Sequence, residues 1–108
     1  MQVPDRGDIV FLDFNPQTGR EQAGRRPAIV LSPESFNRIT GYATVCPISQ
    51  TSQKWGFHVH LPDGLVVSGV VITDQVKNLD FRARNIEIKG RAPENIVNTC
   101  LKKIRTFL

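Results

Sequence analysis

Along the first ninety residues, short apolar runs alternate with clusters of turn residues, and the pattern predicts strands. Residues 8–14 (DIVFLDF) are rich in β-branched and aromatic side chains and follow Gly7, which reads as a strand. Residues 15–26 (NPQTGREQAGRR) hold Pro, two Gly and mostly polar side chains, so a long loop is expected. Residues 28–31 (AIVL), between Pro27 and Pro33, read as a short buried strand. A turn or short helix is expected around residues 34–37. The next strand covers residues 42–48 (YATVCPI), with Pro47 marking its end or a bulge. Residues 49–56 (SQTSQKWG) form a polar loop. In residues 57–61 (FHVHL), Phe57, Val59 and Leu61 share one face of a strand and His58 and His60 the other. Further strands are expected at 69–73, after the turn Pro62-Asp63-Gly64, and at 84–89, before Gly90.

The period then changes. Ile96, Val97, Cys100, Leu101, Ile104, Phe107 and Leu108 recur at three- and four-residue spacing, the stripe of an amphipathic helix. Pro93 suits its first turn, and Glu94 complements its positive start. Lys102, Lys103 and Arg105 crowd its end, where the helix dipole favours cations. The resulting fold class is mainly β: a small barrel-like sheet with a C-terminal amphipathic α-helix packed against it. One domain spans residues 1–108, without repeats or low-complexity tracts.

Composition narrows the field. A chain of 108 residues, 40% apolar and 22% charged, is long enough for one core without a metal or disulfide. No apolar run approaches the roughly 20 residues of a membrane span. The start, MQVPDRGD, lacks a basic region followed by an apolar stretch, so no secretory signal is expected. Cys46 and Cys100 lie far apart and fit reduced thiols in a cytoplasmic protein. The net charge of +4 is modest, but Arg20, Arg25 and Arg26 cluster in one segment, and Lys77, Arg82 and Arg84 in another. Basic loops of this kind can meet phosphate.

Metal chemistry has little support: His58 and His60 share a face, but no CxxC, HExxH or nearby carboxylate completes a ligand set. Cys46 sits in an apolar run, where a thiol acts as a small hydrophobe. Nucleotide-binding motifs are missing as well, since the chain holds neither GxxxxGK[ST] nor GxGxxG. Arg25 and Arg26 leave a Gly-containing loop, and Glu21 lies five residues before Arg26. A guanidinium offers a fork of donors matching two phosphate oxygens, and Glu21 could orient it or accept a proton. A surface ion pair anchoring the loop is the stronger reading of these residues alone. Ser49, at a strand end, could donate to a phosphate oxygen or simply initiate a turn. Lys54 beside Trp55 could carry a stacked base, or the Trp could cover the core edge.

The stretches PDRGDIVFLDFNPQTGREQAGRRPAIVLSP, CPISQ and TDQVKNLDFRAR, followed by the C-terminal helix, resemble the MazF/PemK (Kid) toxins of bacterial toxin–antitoxin systems. Those are sequence-specific endoribonucleases called mRNA interferases. The resemblance covers essentially the whole chain, and it rests on the combination of ExxGxRP, the Pro-x-hydroxyl step and DQV. It implies a homodimer of SH3-like barrels that cuts single-stranded RNA without a metal or other cofactor. The ribose 2′-OH attacks the adjacent phosphate, leaving 2′,3′-cyclic phosphate and 5′-OH ends. Carried over, Arg26 takes the catalytic arginine's place, Ser49 that of a hydroxyl residue often Thr in relatives, and Glu21 the acidic position. Gln75, Lys77 and Arg84 would line the RNA groove, joined by Lys54 and Trp55 from the polar loop. A cognate antitoxin with an acidic, largely disordered tail is implied as partner. The alternative is a non-catalytic toxin of the same fold that binds DNA gyrase, as the CcdB toxins do.

Overall fold

The computed structural model describes residues 2–14, 24–51 and 55–108. Seven strands lie in one sheet: β1 (Asp8–Asp13), β2 (Arg25–Val30), β3 (Tyr42–Ser49), β4 (His58–His60), β5 (Val70–Ile72), β6 (Lys77–Asp80) and β7 (Glu87–Arg91). Helix α1 (Glu34–Thr40) joins β2 to β3, and α2 (Glu94–Ile104) closes the chain. The strands run in the order β4-β5-β3-β2-β1-β7, with β6 also paired to β3, and every pairing is antiparallel. The architecture is mainly β, as the hydrophobic pattern predicts. Among the described residues, the terminal strands β4 and β7 are not paired with each other, so the sheet is open rather than a closed barrel.

Both faces of the sheet are buried, which explains why β1 and β2 read as continuous apolar runs. Ile9, Ile29, Cys46 and Val71 pack with Ile96, Val97, Cys100 and Ile104 of α2 in one cluster. Val10, Leu12, Ala28, Val30, Val45 and Phe81 form the second, on the other side. Helix α1 stops at Gly41, whose left-handed φ of 75° lets its N–H reach the Asn37 carbonyl.

The long strand β3 determines the layout. Its first half pairs with β6 (Val45 opposite Lys77) and its end with β5 (Ile48 opposite Val71, Ser49 opposite Val70). Pro47 lies inside this strand rather than at its end. Leu31 N–H donates to Thr44 O at 2.8 Å, so the alternation of an antiparallel ladder makes Ala28 and Pro47 a non-bonded pair. The missing N–H of Pro47 therefore points to the outer edge, in the interval between β6 and β5, where no ladder bond is lost.

Four expectations are corrected. Arg25 and Arg26 belong to β2, not to the loop before it, because Asp13 and Leu12 of β1 pair with them. Lys77 sits in β6, a strand whose short polar sequence KNLD hides its pairing with β3. The strand expected at 84–89 begins only at Glu87 and runs through Gly90 to Arg91, while residues 81–85 form a turn with Asn85 at φ 55°. Helix α2 ends at Ile104, leaving Phe107 and Leu108 exposed beyond it.

Candidate active site

The β2–β3 register, extended two steps beyond Ala28 opposite Pro47, brings Arg26 opposite Ser49. The ladder stops short of that pair because Pro27 has no N–H to give Ile48. Arg26, opposite Leu12 of β1, and Ser49, opposite Val70 of β5, are left at the mouth of one gap between β2 and β3. Arg26 is exposed and Ser49 half-buried, and both line one cleft of about 490 Å³. Phe11 and Ile48 add apolar surface, and the segment 66–68 forms a wall.

Ser49 is held by its backbone. Gly69, immediately before β5, has φ 121°, a conformation that L side chains rarely adopt. A Cβ there would lie 3.0 Å from the Ser49 carbonyl carbon and closer still to its oxygen. Only glycine lets β5 start against Ser49, where Val70 pairs with it. Beside it, Gln50 Nε2 donates to Ser68 Oγ at 3.0 Å, tying the exit of β3 to the wall.

One ladder step from Arg26, Arg25 bridges Asp13 of β1 at 3.3 Å and Glu87 of β7. Asp13 also accepts from Asn85 Nδ2 at 2.9 Å, and this bond, then Arg25, holds its carboxyl below the usual range. Arg25 and then Lys89 lower Glu87 in the same way, and Glu87 in turn raises Arg25. Arg25 is thus engaged in a structural ion triad, while its neighbour Arg26 faces the cleft.

The remaining expected site residues separate into groups. Glu21 and Lys54 lie outside the described residues. Arg84 is close to the Arg26 end of the sheet: its Nη1 donates to Asp13 O at 3.2 Å, and its carbonyl accepts from Asp13 N–H. Gln75 ends the 3₁₀ turn Thr73–Gln75, and Lys77 opens β6, both half-buried on the outer edge of β3. Lys77 pairs with Val45, four residues or about 13 Å along the strand from Ser49. Trp55 is half exposed, its Nε1 donating to Asp74 Oδ2 at 3.3 Å and its ring tilted against Phe57 at 5.8 Å. Lys103 Nζ reaches Gly56 O at 2.6 Å, so α2 anchors the same corner.

His58 and His60 occupy β4, and among the described residues no three His, Cys, Asp or Glu side chains gather as a ligand group. Cys46 and Cys100 are fully buried in the α2-facing core, and burial pushes both thiols up, Cys100 to about 12. Sequence reasoning missed Phe11, Gln50, Val66, Ser68 and Gly69. Only Gly69 carried a signal, as a glycine at the mouth of an apolar run.

A strand-borne arginine and serine sharing one open cleft define a site suited to an anionic, phosphate-bearing ligand. The model of the PemK-like, MazF-like toxins of type II toxin–antitoxin systems matches residues 5–108, and the chain belongs to that family. The endoribonuclease toxin MazF of Escherichia coli strain K12 is 45% identical over 95 residues, spanning 87% of this chain and 85% of its own. MazF from Deinococcus radiodurans superposes with a TM-score of 0.94 at 42% identity, covering 98% of this chain and 96% of that one. A MazE–MazF complex from the same organism matches at 0.86 and 38% identity, covering 98% and 95%.

Proposed function

We propose that this chain is an endoribonuclease toxin that cuts single-stranded RNA in the Arg26–Ser49 cleft and is held in check by a cognate antitoxin. The observation that carries the reading is the convergence of those two donors in one cleft, within a family whose relatives bear that activity in their names. Attack of a ribose 2′-OH on the adjacent phosphate builds negative charge on the nonbridging oxygens. Preorganised donors aimed there lower the barrier most. The guanidinium of Arg26 offers two parallel N–H groups, and the Ser49 hydroxyl a third donor from the opposite strand. Arg26 also stands ready to stabilise or protonate the 5′ leaving oxygen; a guanidinium carries donors and no acceptor, which makes it a poor resting base. Glu21 is the residue we assign to receive the 2′-OH proton. The products are 2′,3′-cyclic phosphate and 5′-OH ends.

Arg84, Gln75, Lys77, Trp55 and Lys54 extend the RNA path away from the cleft on this reading. Phe36 and Leu108, exposed apolar side chains that line one groove, support assembly as a homodimer. A chain of net charge +4 suits an acidic antitoxin tail, and the related MazF of Deinococcus radiodurans is seen in complex with MazE. No helix among the described residues is long and apolar enough to cross a membrane, and action on messenger RNA puts the toxin in the cytoplasm.

The test is incubation of the purified protein with mixed single-stranded RNA in EDTA, followed by mapping of the ends. Discrete cuts bearing cyclic phosphate are expected. Intact RNA together with inhibited DNA gyrase would replace this reading with that of a gyrase-binding toxin.

A further inference from the structure

Trp55 lies outside the lining of the Arg26–Ser49 cleft, in a corner with supports of its own. It is 51% exposed, yet its ring is fixed on two sides, by the bond from Nε1 to Asp74 and by the tilted contact with Phe57. Phe57 is in turn met edge-on by Phe107, with ring centroids 5.7 Å apart and planes at 80°. The backbone beneath is pinned at three successive carbonyls. Trp55 O accepts from His58 N–H at 2.9 Å, Gly56 O from Lys103 Nζ at 2.6 Å, and Phe57 O from the N–H and Oγ1 of Thr73. Lys103, in the last turn of α2, and Phe107, just beyond it, thus reach this corner from the far end of the chain. Ile104 and Leu108 of the same turn line the apolar groove beside Phe36 instead.

We infer that Lys103 and Phe107 are positioning residues, which hold Trp55 as a preset platform on which a base of the RNA stacks. The inference rests on the endoribonuclease reading, which supplies the RNA, and goes beyond it by making the RNA path depend on the end of α2. An unsupported indole beside Gly56 would spread over several rotamers and lose that freedom on stacking. Fixing one such side chain beforehand improves affinity by a factor of about 2 to 12. Asp74, which holds the indole N–H, is followed by Gln75 and then by Lys77 at the start of β6, so the platform adjoins the segment that carries both. A half-open aromatic face needs no particular base, since every base has a π-face to stack.

Trp55 is the chain's only tryptophan, so its fluorescence reports on the platform without any cleavage. In Phe107→Ala and in Lys103→Met, its emission is expected to move to longer wavelength and acrylamide quenching to rise. Affinity is measured with single-stranded DNA of mixed sequence, which lacks the attacking 2′-OH, and turnover with saturating RNA. Each variant should weaken binding about 2- to 12-fold and leave kcat within about twofold, because the platform adds uniform binding. Trp55→Ala should weaken binding about 5- to 160-fold, and adding Phe107→Ala to it should cost nothing more. Lys103→Met should keep the wild-type slope of log affinity against log salt; a slope smaller by about 1 would make Lys103 a phosphate contact and overturn its positioning role. A spectral change without loss of affinity would show a merely structural contact and overturn the proposal. Unchanged spectra and affinity in both variants of a protein that cuts RNA would do the same, leaving the nuclease reading standing. A wild type that cuts no RNA overturns both.

Discussion

Gly69→Ala adds one methyl group at the point where β5 meets Ser49, and the structure sets the size of the response. The φ of 121° costs an alanine about 1–3 kcal/mol. The new Cβ also collides with the Ser49 carbonyl group, a backbone neighbour that no rotamer change can move aside. Relief requires parting Ser49 from Val70, with loss of about one ladder hydrogen bond at roughly 0.5–1.5 kcal/mol. The expected destabilisation is about 2–4 kcal/mol, which for a 108-residue chain lowers Tm by about 9–18 °C. Cleavage suffers separately, since a shift of about 1 Å in a reacting group costs about 100-fold. Thermal unfolding by circular dichroism and single-turnover cleavage well below Tm measure the two effects. In Ser49→Ala, the further change Gly69→Ala should keep its cost in Tm and lose its cost in rate. A variant with a Tm within about 2 °C of wild type and an unchanged rate would refute the account of how Ser49 is held.

Arg26→Ala should lower single-turnover cleavage about 100- to 1,000-fold with little change in Tm, because the side chain is exposed and its loss removes one charge-stabilising donor; a rate within threefold of wild type, on the order of 0.6 kcal/mol, would remove it from the site. The ion triad makes an acid-limb prediction. Asp13 and Glu87 have folded-state pKa values held below their unfolded ones, so their contribution is present at neutral pH and is lost as pH falls through and below the ordinary carboxylate range. Arg25→Gln should therefore flatten the fall of Tm between about pH 5 and 3, and an equally steep fall in the variant would contradict the role given to Arg25. Burial with raised thiol pKa predicts that iodoacetamide at about pH 8 leaves Cys46 and Cys100 unmodified in the native protein and alkylates both in urea; rapid native labelling of either thiol would show that the α2-facing core opens.

Local pattern alone specified the elements whose partners lie across one simple face. The run at β1, the AIVL core of β2, the long β3 and the stripe of α2 were all legible, because burial imposes a period on apolar residues wherever a whole face is covered. Strand β6 was not, since KNLD is placed by hydrogen bonds to β3 and by little apolar burial. Arg26 and Ser49 could be singled out one by one, as residue types suited to phosphate, and the family resemblance joined them. That they meet was decided by register: a two-step extension of the β2–β3 ladder past Pro27, a relation between residues 23 positions apart in the chain. Phe11, Val66 and Gly69 became meaningful only through the same three-dimensional contacts. A side chain's own chemistry is written in its residue type and its burial in the local period, but which groups face one another across a cleft depends on strand pairing between distant segments, and short-range pattern carries no record of that.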